Sequence, residues 1–280
     1  MTSRILTLAA ACVLSGCASP EAGGAPGRTP PHGVGVARRT LARDGFPWQT
    51  ASVAGVHVHY LPDSYAAAHA GEFARAAQAA LRHDMRLGGF PPVRDTMELF
   101  MVSTREQAAQ LAGNGAMGQA IPGEFTAFFV AEPGKPPAFR HEIMHALSLK
   151  LWGRNREATW LSEGVATWAA GSCQGHTVDE VAAGFLGDGT LPPMQELAAR
   201  VWEIDELHAY LTAGSAVGYL ARTRGTAAVQ ALWARPATAH PHPLGEGGAE
   251  MEAAWRAHLA TVRPAPIDLA RLRRHGCEAP

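Results

Sequence analysis

His141-Glu142-Ile143-Met144-His145 lies inside the run AFRHEIMHALSLKL at 138–151, and its reading decides how the rest of the chain is placed. Ala138, Ile143, Met144, Ala146, Leu147 and Leu149 make the run helical and largely buried. On a helix, residues four apart share a face about one turn apart. His141 and His145 can therefore offer two imidazole nitrogens to one point. Glu142 follows the first of them and can hold a water without being a ligand. Unpaired polar groups are costly to bury, so this trio needs partners. A metal supplies them. Two neutral imidazoles suit Zn²⁺, and a third ligand would leave one position open for water.

The pattern H-E-x-x-H on a helix is that of metallopeptidase zinc sites. The third ligand must come from elsewhere in the chain. A metzincin would carry Gly and His at the third and sixth positions after His145, but here they are Ser148 and Leu151. Downstream, Trp160-Leu161-Ser162-Glu163-Gly164-Val165-Ala166 stands out. Thr159 can cap a second helix with Glu163 in its first turn, running through Trp168. A helix-turn-helix would return Glu163 to the two histidines. Glu157 is the rival, but it precedes the expected helix start.

HEIMH followed by WLSEGVA resembles the gluzincin metallopeptidases, and most closely the bacterial peptidase MA-like group. The resemblance implies His141, His145 and Glu163 as zinc ligands and Glu142 as general base. Seventeen residues separate His145 from Glu163, one fewer than in aminopeptidase-type gluzincins, and their GxMEN motif is absent. No aminopeptidase activity is carried over. In this group a Tyr precedes a small-residue helix and its hydroxyl often stabilises the oxyanion. The stretch Tyr210–Leu220 (YLTAGSAVGYL) makes Tyr210 the first candidate for that role and Tyr219 the second; a core aromatic on an amphipathic helix is the plainer reading of either. The resemblance spans roughly Val53 to Leu232.

Outward from the site, Ser52–Tyr60 (SVAGVHVHY) alternates and reads as one half-buried strand, with His57 and His59 on its solvated face. They could bind a metal, but no third partner stands near in sequence. Asp63 or Ser64 caps a helix to about Leu87, with Phe73, Ala76, Ala77, Ala80, Leu81 and Met85 facing the core. Thr96–Val102 is a second strand, and Ser103 or Thr104 caps a short helix. Ala120–Ala131 (AIPGEFTAFFVA) reads as a third strand. In HExxH peptidases such a strand often holds substrate backbone by strand addition. Further helices are expected at Met194–Arg200, His208–Thr223, Thr226–Ala234 and Gly248–Val262, with Trp233 and Trp255 in the core. His240 and His242 fall in a Pro-rich loop read as solvated. Arg271–His275 is a small basic end.

The chain has 280 residues, with 24 Lys plus Arg against 25 Asp plus Glu. No basic surplus points to nucleic acid. The first residues read as an export signal: Arg4, then the apolar run ILTLAAACVL at 5–14, then Leu14-Ser15-Gly16-Cys17. That ending resembles a bacterial lipobox. The resemblance implies lipidation of Cys17, and Ala18 after it favours the outer membrane, facing the periplasm. The alternative is an ordinary secretory signal. Cys173 and Cys277 then remain, and in such a compartment they allow one pairing.

The expected architecture is α+β and zincin-type. A small N-terminal mixed sheet with helices would lead to the active helix and then to a mostly helical C-terminal half. The expected boundaries are a lipoprotein signal at 1–16, a flexible tether at 17–47 and a zincin-like domain at 48–265. That domain divides into an α/β part at 48–152 and a helical part at 153–265, and a tail follows at 266–280. The expected function is a zinc-dependent peptidase of the cell envelope acting on a peptide or protein substrate. The alternative is a zinc-stabilised envelope lipoprotein that binds or assembles partners without turnover.

Overall fold

The computed structural model describes residues 35–153, 158–235, 241–263 and 266–277. Cys17 and its leader, Glu157 and His240 lie outside the described residues. A helix, α1 (Val36–Leu41), falls within the stretch read as tether, and the Val36 N–H is bonded to the Glu124 carboxylate. Trp48 follows, packed edge-on against Phe100. Residues 36–41 therefore pack with the fold although they precede Trp48.

The stretch read as one strand at 52–60 is a hairpin, β1 (Gln49–Val53) and β2 (Val56–Tyr60). Ala54-Gly55 makes its turn, with Gly55 at φ 80°, a conformation that glycine adopts without a Cβ clash. α2 (Tyr65–Leu87) starts at Ser64, whose hydroxyl accepts the Ala67 N–H. It crosses over to β3 (Met97–Val102), which is parallel to β2. α3 (Arg105–Ala112) is capped by Thr104. The third expected strand is also a hairpin, β4 (Gly118–Ala120) and β5 (Thr126–Val130), with the breaker Pro122-Gly123 in its connection. The sheet order is β1-β2-β3-β5-β4, so β4 is an edge strand.

α2 and α4 (Phe139–Leu151) pack against this sheet. Val56, Val58, Leu99, Met101, Ala127 and Phe129 face them in one core with Phe73, Ala77, Ile143 and Leu147. Ala76 is exposed rather than buried, so the apolar face of α2 is narrower than its composition suggested. α5 (Thr159–Ala170) packs on α4. It has no side-chain cap: Ala158 holds the N-cap position and Thr159 is the first helical residue. Glu163 is therefore in the second turn.

Beyond Gly171 a short hairpin, β6 (Ser172–Cys173) and β7 (His176–Thr177), leads into α6 (Val178–Gly187). Thr177 and Glu180 form a reciprocal capping box there, a signal present in the sequence at S/T-x-x-E spacing. α7 (Met194–Arg200), α8 (Glu206–Arg224), α9 (Thr226–Trp233) and α10 (Gly248–Thr261) follow near the expected bounds. Trp233 and Trp255 are buried. α8 packs closely on α5. A Cβ on Gly164 would stand 3.0 Å from the Ala213 carbonyl oxygen, and one on Gly214 would stand 2.7 Å from the Thr167 side chain. Small residues on both helices thus set the depth at which α8 seats against α5.

The expected tail contains α11 (Leu269–His275), whose Leu272 is buried. Cys277 is disulfide-bonded to Cys173, closing a sequence separation of 104. The architecture is α+β, a small mixed sheet followed by a helical half. No helix among the described residues is long and apolar enough to cross a membrane.

Candidate metal centre

α4 turns His141 and His145 toward α5, and their Nε2 atoms lie 3.2 Å apart. Glu163 Oε2 from α5 stands 3.2 Å from His145 Nε2 and 3.3 Å from His141 Nε2. The three donors form a nearly equilateral triangle. Three ligands of one tetrahedral ion with bonds of ~2.0–2.1 Å stand ~3.3 Å apart. These residues therefore fit a small divalent cation in both donor type and spacing. The second donor nitrogen of His145, Nδ1, lies 3.3 Å from Ser162 Oγ. A partner of this kind sets the tautomer and ring orientation of a metal-binding histidine.

Electrostatics agree with the geometry. Burial alone would favour the neutral carboxyl of Glu163, but the charges and hydrogen bonds of His145 and His141 hold it far below the usual carboxylate range. Burial alone would lower the pKa of His145, but Glu163 and Glu142 outweigh it and raise it.

Glu142 points the other way, toward the sheet edge. Its Oε2 accepts the Ala120 N–H at 2.9 Å. A Cβ on Gly118 would lie only 2.6 Å from its Oε1, so this strand runs close against the carboxylate. The β4 edge and Glu142 both line one cleft with His141, His145, Glu163 and Tyr210. The cleft encloses about 1200 Å³, above the ~300–1,000 Å³ of small-molecule pockets.

Tyr210, on α8, lies near-parallel to the His141 ring at 6.2 Å. Burial, then the charges of Glu163, Glu206 and Glu142, push its phenol well above the ordinary value. Like any phenol it is a hydrogen-bond donor at neutral pH. Tyr219 is elsewhere, its ring tilted against His258 at 5.4 Å, and does not line the cleft. Gly276 and Cys277 border the cleft, held there by the disulfide and by a Gln174 Nε2 hydrogen bond to the Gly276 carbonyl.

Asp84 escaped notice in the sequence. It is fully buried on α2, and burial pushes its carboxyl up to about 8 against the opposing charges of Arg140 and His141. Its Oδ1 pairs with His83 Nδ1 at 2.9 Å. The signal was available: Asp84 falls four residues after Ala80 and seven after Ala77, on the apolar stripe of the helix.

Two expectations about histidines need correction. His59 is not on a solvated face; it is buried, and His57 and His59 share a third partner, Glu98 on β3. Glu98 is 41 and 39 residues away in sequence, so only strand pairing brings it near. His242 is likewise mostly covered, paired with Glu252 at 3.1 Å. Two His/His/Glu groups able to hold a metal ion thus stand among the described residues, His141–His145–Glu163 and His57–His59–Glu98. No known family model matches the chain, and no curated protein matches it.

Proposed function

We propose that the chain is a zinc-dependent peptidase of the gluzincin type, akin to the peptidase MA-like group. The observation that carries this reading is the equilateral donor triangle of His141, His145 and Glu163 beside an edge strand, with Glu142 between them. His141, His145 and Glu163 would hold Zn²⁺, which when bound polarises a carbonyl and acidifies a water. Glu142 takes the proton of the attacking water and returns it to the leaving amine. Its hydrogen bond to the Ala120 N–H positions the carboxylate between β4 and the ligand helix. Tyr210 stays protonated and can donate to the developing oxyanion from the α8 side.

Substrate backbone would lie in extended form along β4, the edge strand that borders the cleft. The size of the cleft favours a polypeptide over a small metabolite. The leader-like run at 5–17 supports a cell-envelope setting, with lipidation at Cys17 as the anchor and the outer membrane as the side favoured by Ala18. A non-catalytic zinc-stabilised lipoprotein would keep the ligands but would not need an acid–base carboxylate lining the same cleft.

The test is a peptide-library assay on the purified chain with metal analysis. Glu142→Gln should keep zinc and lose ~10²–10⁴-fold in turnover. Equal cleavage by this variant and the wild type would sink the mechanism. Absence of chelator-sensitive cleavage in the wild type would sink the peptidase assignment.

A further inference from the structure

Strand alternation places His57 and His59 on one face of β2, opposite the core residues Val56 and Val58. The parallel register sets His57 directly beside Glu98 of β3. The three side chains meet on the sheet face turned away from α2 and α4, so this cluster is separate from the cleft. We propose that His57, His59 and Glu98 form a second metal site, for a late first-row divalent cation such as Zn²⁺.

Four features of the cluster support a built site. First, the donors are two imidazole nitrogens and a carboxylate, a set that suits Zn²⁺, Cu²⁺ or Ni²⁺. Their ligand atoms all lie within 4.8 Å of one another.

Second, His59 is pre-oriented. Its Nδ1 lies 2.9 Å from Thr50 Oγ1 on β1, and its ring stacks on Phe100 at 4.7 Å. That leaves Nε2 aimed at Glu98. A metal-ligating histidine typically has its other nitrogen held in this way.

Third, the two spacings within the cluster differ. His59 Nε2 and Glu98 Oε2 are 2.6 Å apart, a charge-assisted hydrogen bond. His57 Nδ1 and Glu98 Oε1 are 3.3 Å apart, long for such a bond and equal to the ligand spacing in the first centre. A cation would replace the proton shared by His59 and Glu98 and let that pair open to ligand distance.

Fourth, access is one-sided. The His57 side chain is 40% exposed while that of His59 is 4% exposed. An ion could enter past His57 and be gripped from beneath. Bound there, it would cross-link β2 to β3.

The experiment is Zn²⁺ equilibrium dialysis with metal analysis on the full chain, comparing wild type with His57→Ala. This substitution removes a half-exposed ligand and leaves the hydrogen bond between buried His59 and half-buried Glu98 in place, so the fold is retained. The expected result is two zinc ions per wild-type chain and one in His57→Ala. Equal zinc content in the two overturns the proposal. Thr50→Val should weaken the second site ~10–100-fold without removing a ligand; unchanged affinity there overturns the pre-orientation argument. A His141→Ala, His145→Ala double variant should keep one zinc, sensitive to His57→Ala. This readout needs no peptidase activity, so its failure is separable from failure of the assignment above.

Discussion

The two His/His/Glu clusters use the same three residue types and differ in almost everything around them. At the first, two histidines one helical turn apart meet a glutamate from a second helix, with donor separations of 3.2, 3.2 and 3.3 Å. At the second, two histidines alternate on a strand and meet a glutamate from the neighbouring strand, at 3.3 and 2.6 Å. A helix rigidifies its i,i+4 pair, so equal spacing is built into the backbone. A strand pair leaves the carboxylate freer to close on one partner. The first cluster opens into a cleft with Glu142 and Tyr210 on its walls. The second is backed by Phe100 and Thr50. Under the proposed function, the difference lies beyond the ligands: only the first cluster shares its cleft with a carboxylate, Glu142, and a phenol, Tyr210, suited to acid–base and oxyanion roles.

The sharpest way to break this comparison is to neutralise each glutamate in turn. Glu163→Gln should weaken zinc binding at the first centre by more than ~100-fold and abolish cleavage. Glu98→Gln should leave cleavage within about two-fold, because no group of the cleft touches it. Loss of activity in Glu98→Gln, measured by kcat/KM at saturating zinc, would unite the two clusters functionally and refute their separation.

A smaller effect concerns the buried carboxyl behind the first centre. Asp84 stays neutral in the folded, metal-free chain up to about 8, whereas its ordinary value is 3.8. The folded state therefore holds one more proton than the unfolded state between those values. Stability contributed by the neutral carboxyl is full below about 4 and declines as pH rises toward 8. The decline should be on the order of a few kcal/mol, and Asp84→Asn should remove it. Urea melts of chelator-treated protein from pH 5 to 8 check this; an unchanged slope in the variant would show that Asp84 is not the source. At Glu98 burial is outweighed by the hydrogen bonds and charges of His59 and His57, which hold the carboxyl below its ordinary value, so Glu98→Gln should leave the slope between pH 5 and 8 intact.

Smallest on this scale is Tyr210→Phe. Removing one phenolic donor should lower kcat ~10²-fold with zinc content unchanged. Tyr219→Phe should do nothing comparable, since Tyr219 packs against His258 and does not line the cleft. Equal effects of the two would argue for a packing role in both.

Legibility followed the range of the interactions. The first centre could be read because each half is local: His141 and His145 lie one turn apart, and Glu163 sits in a second distinctive block. The capping box at Thr177 and Glu180 was equally local and was overlooked, as was Pro122-Gly123 inside an otherwise continuous apolar run. The four-residue box marks the start of α6, and the dipeptide marks the β4–β5 turn. Gly55 does the same for β1 and β2.

By itself the sequence determined the helix-borne histidine pair, the mixed α+β order and the general extent of the later helices. These depend on spacing along one element, where covalent geometry sets which side chains share a face. Only the tertiary structure decided that Glu98 joins His57 and His59, that Asp84 lies buried near His141, that Tyr210 rather than Tyr219 reaches the cleft, and that Cys277 meets Cys173. Each of these depends on strand register or helix seating between distant segments. Such contacts are selected by the packing of the whole core, which no local window of residues contains.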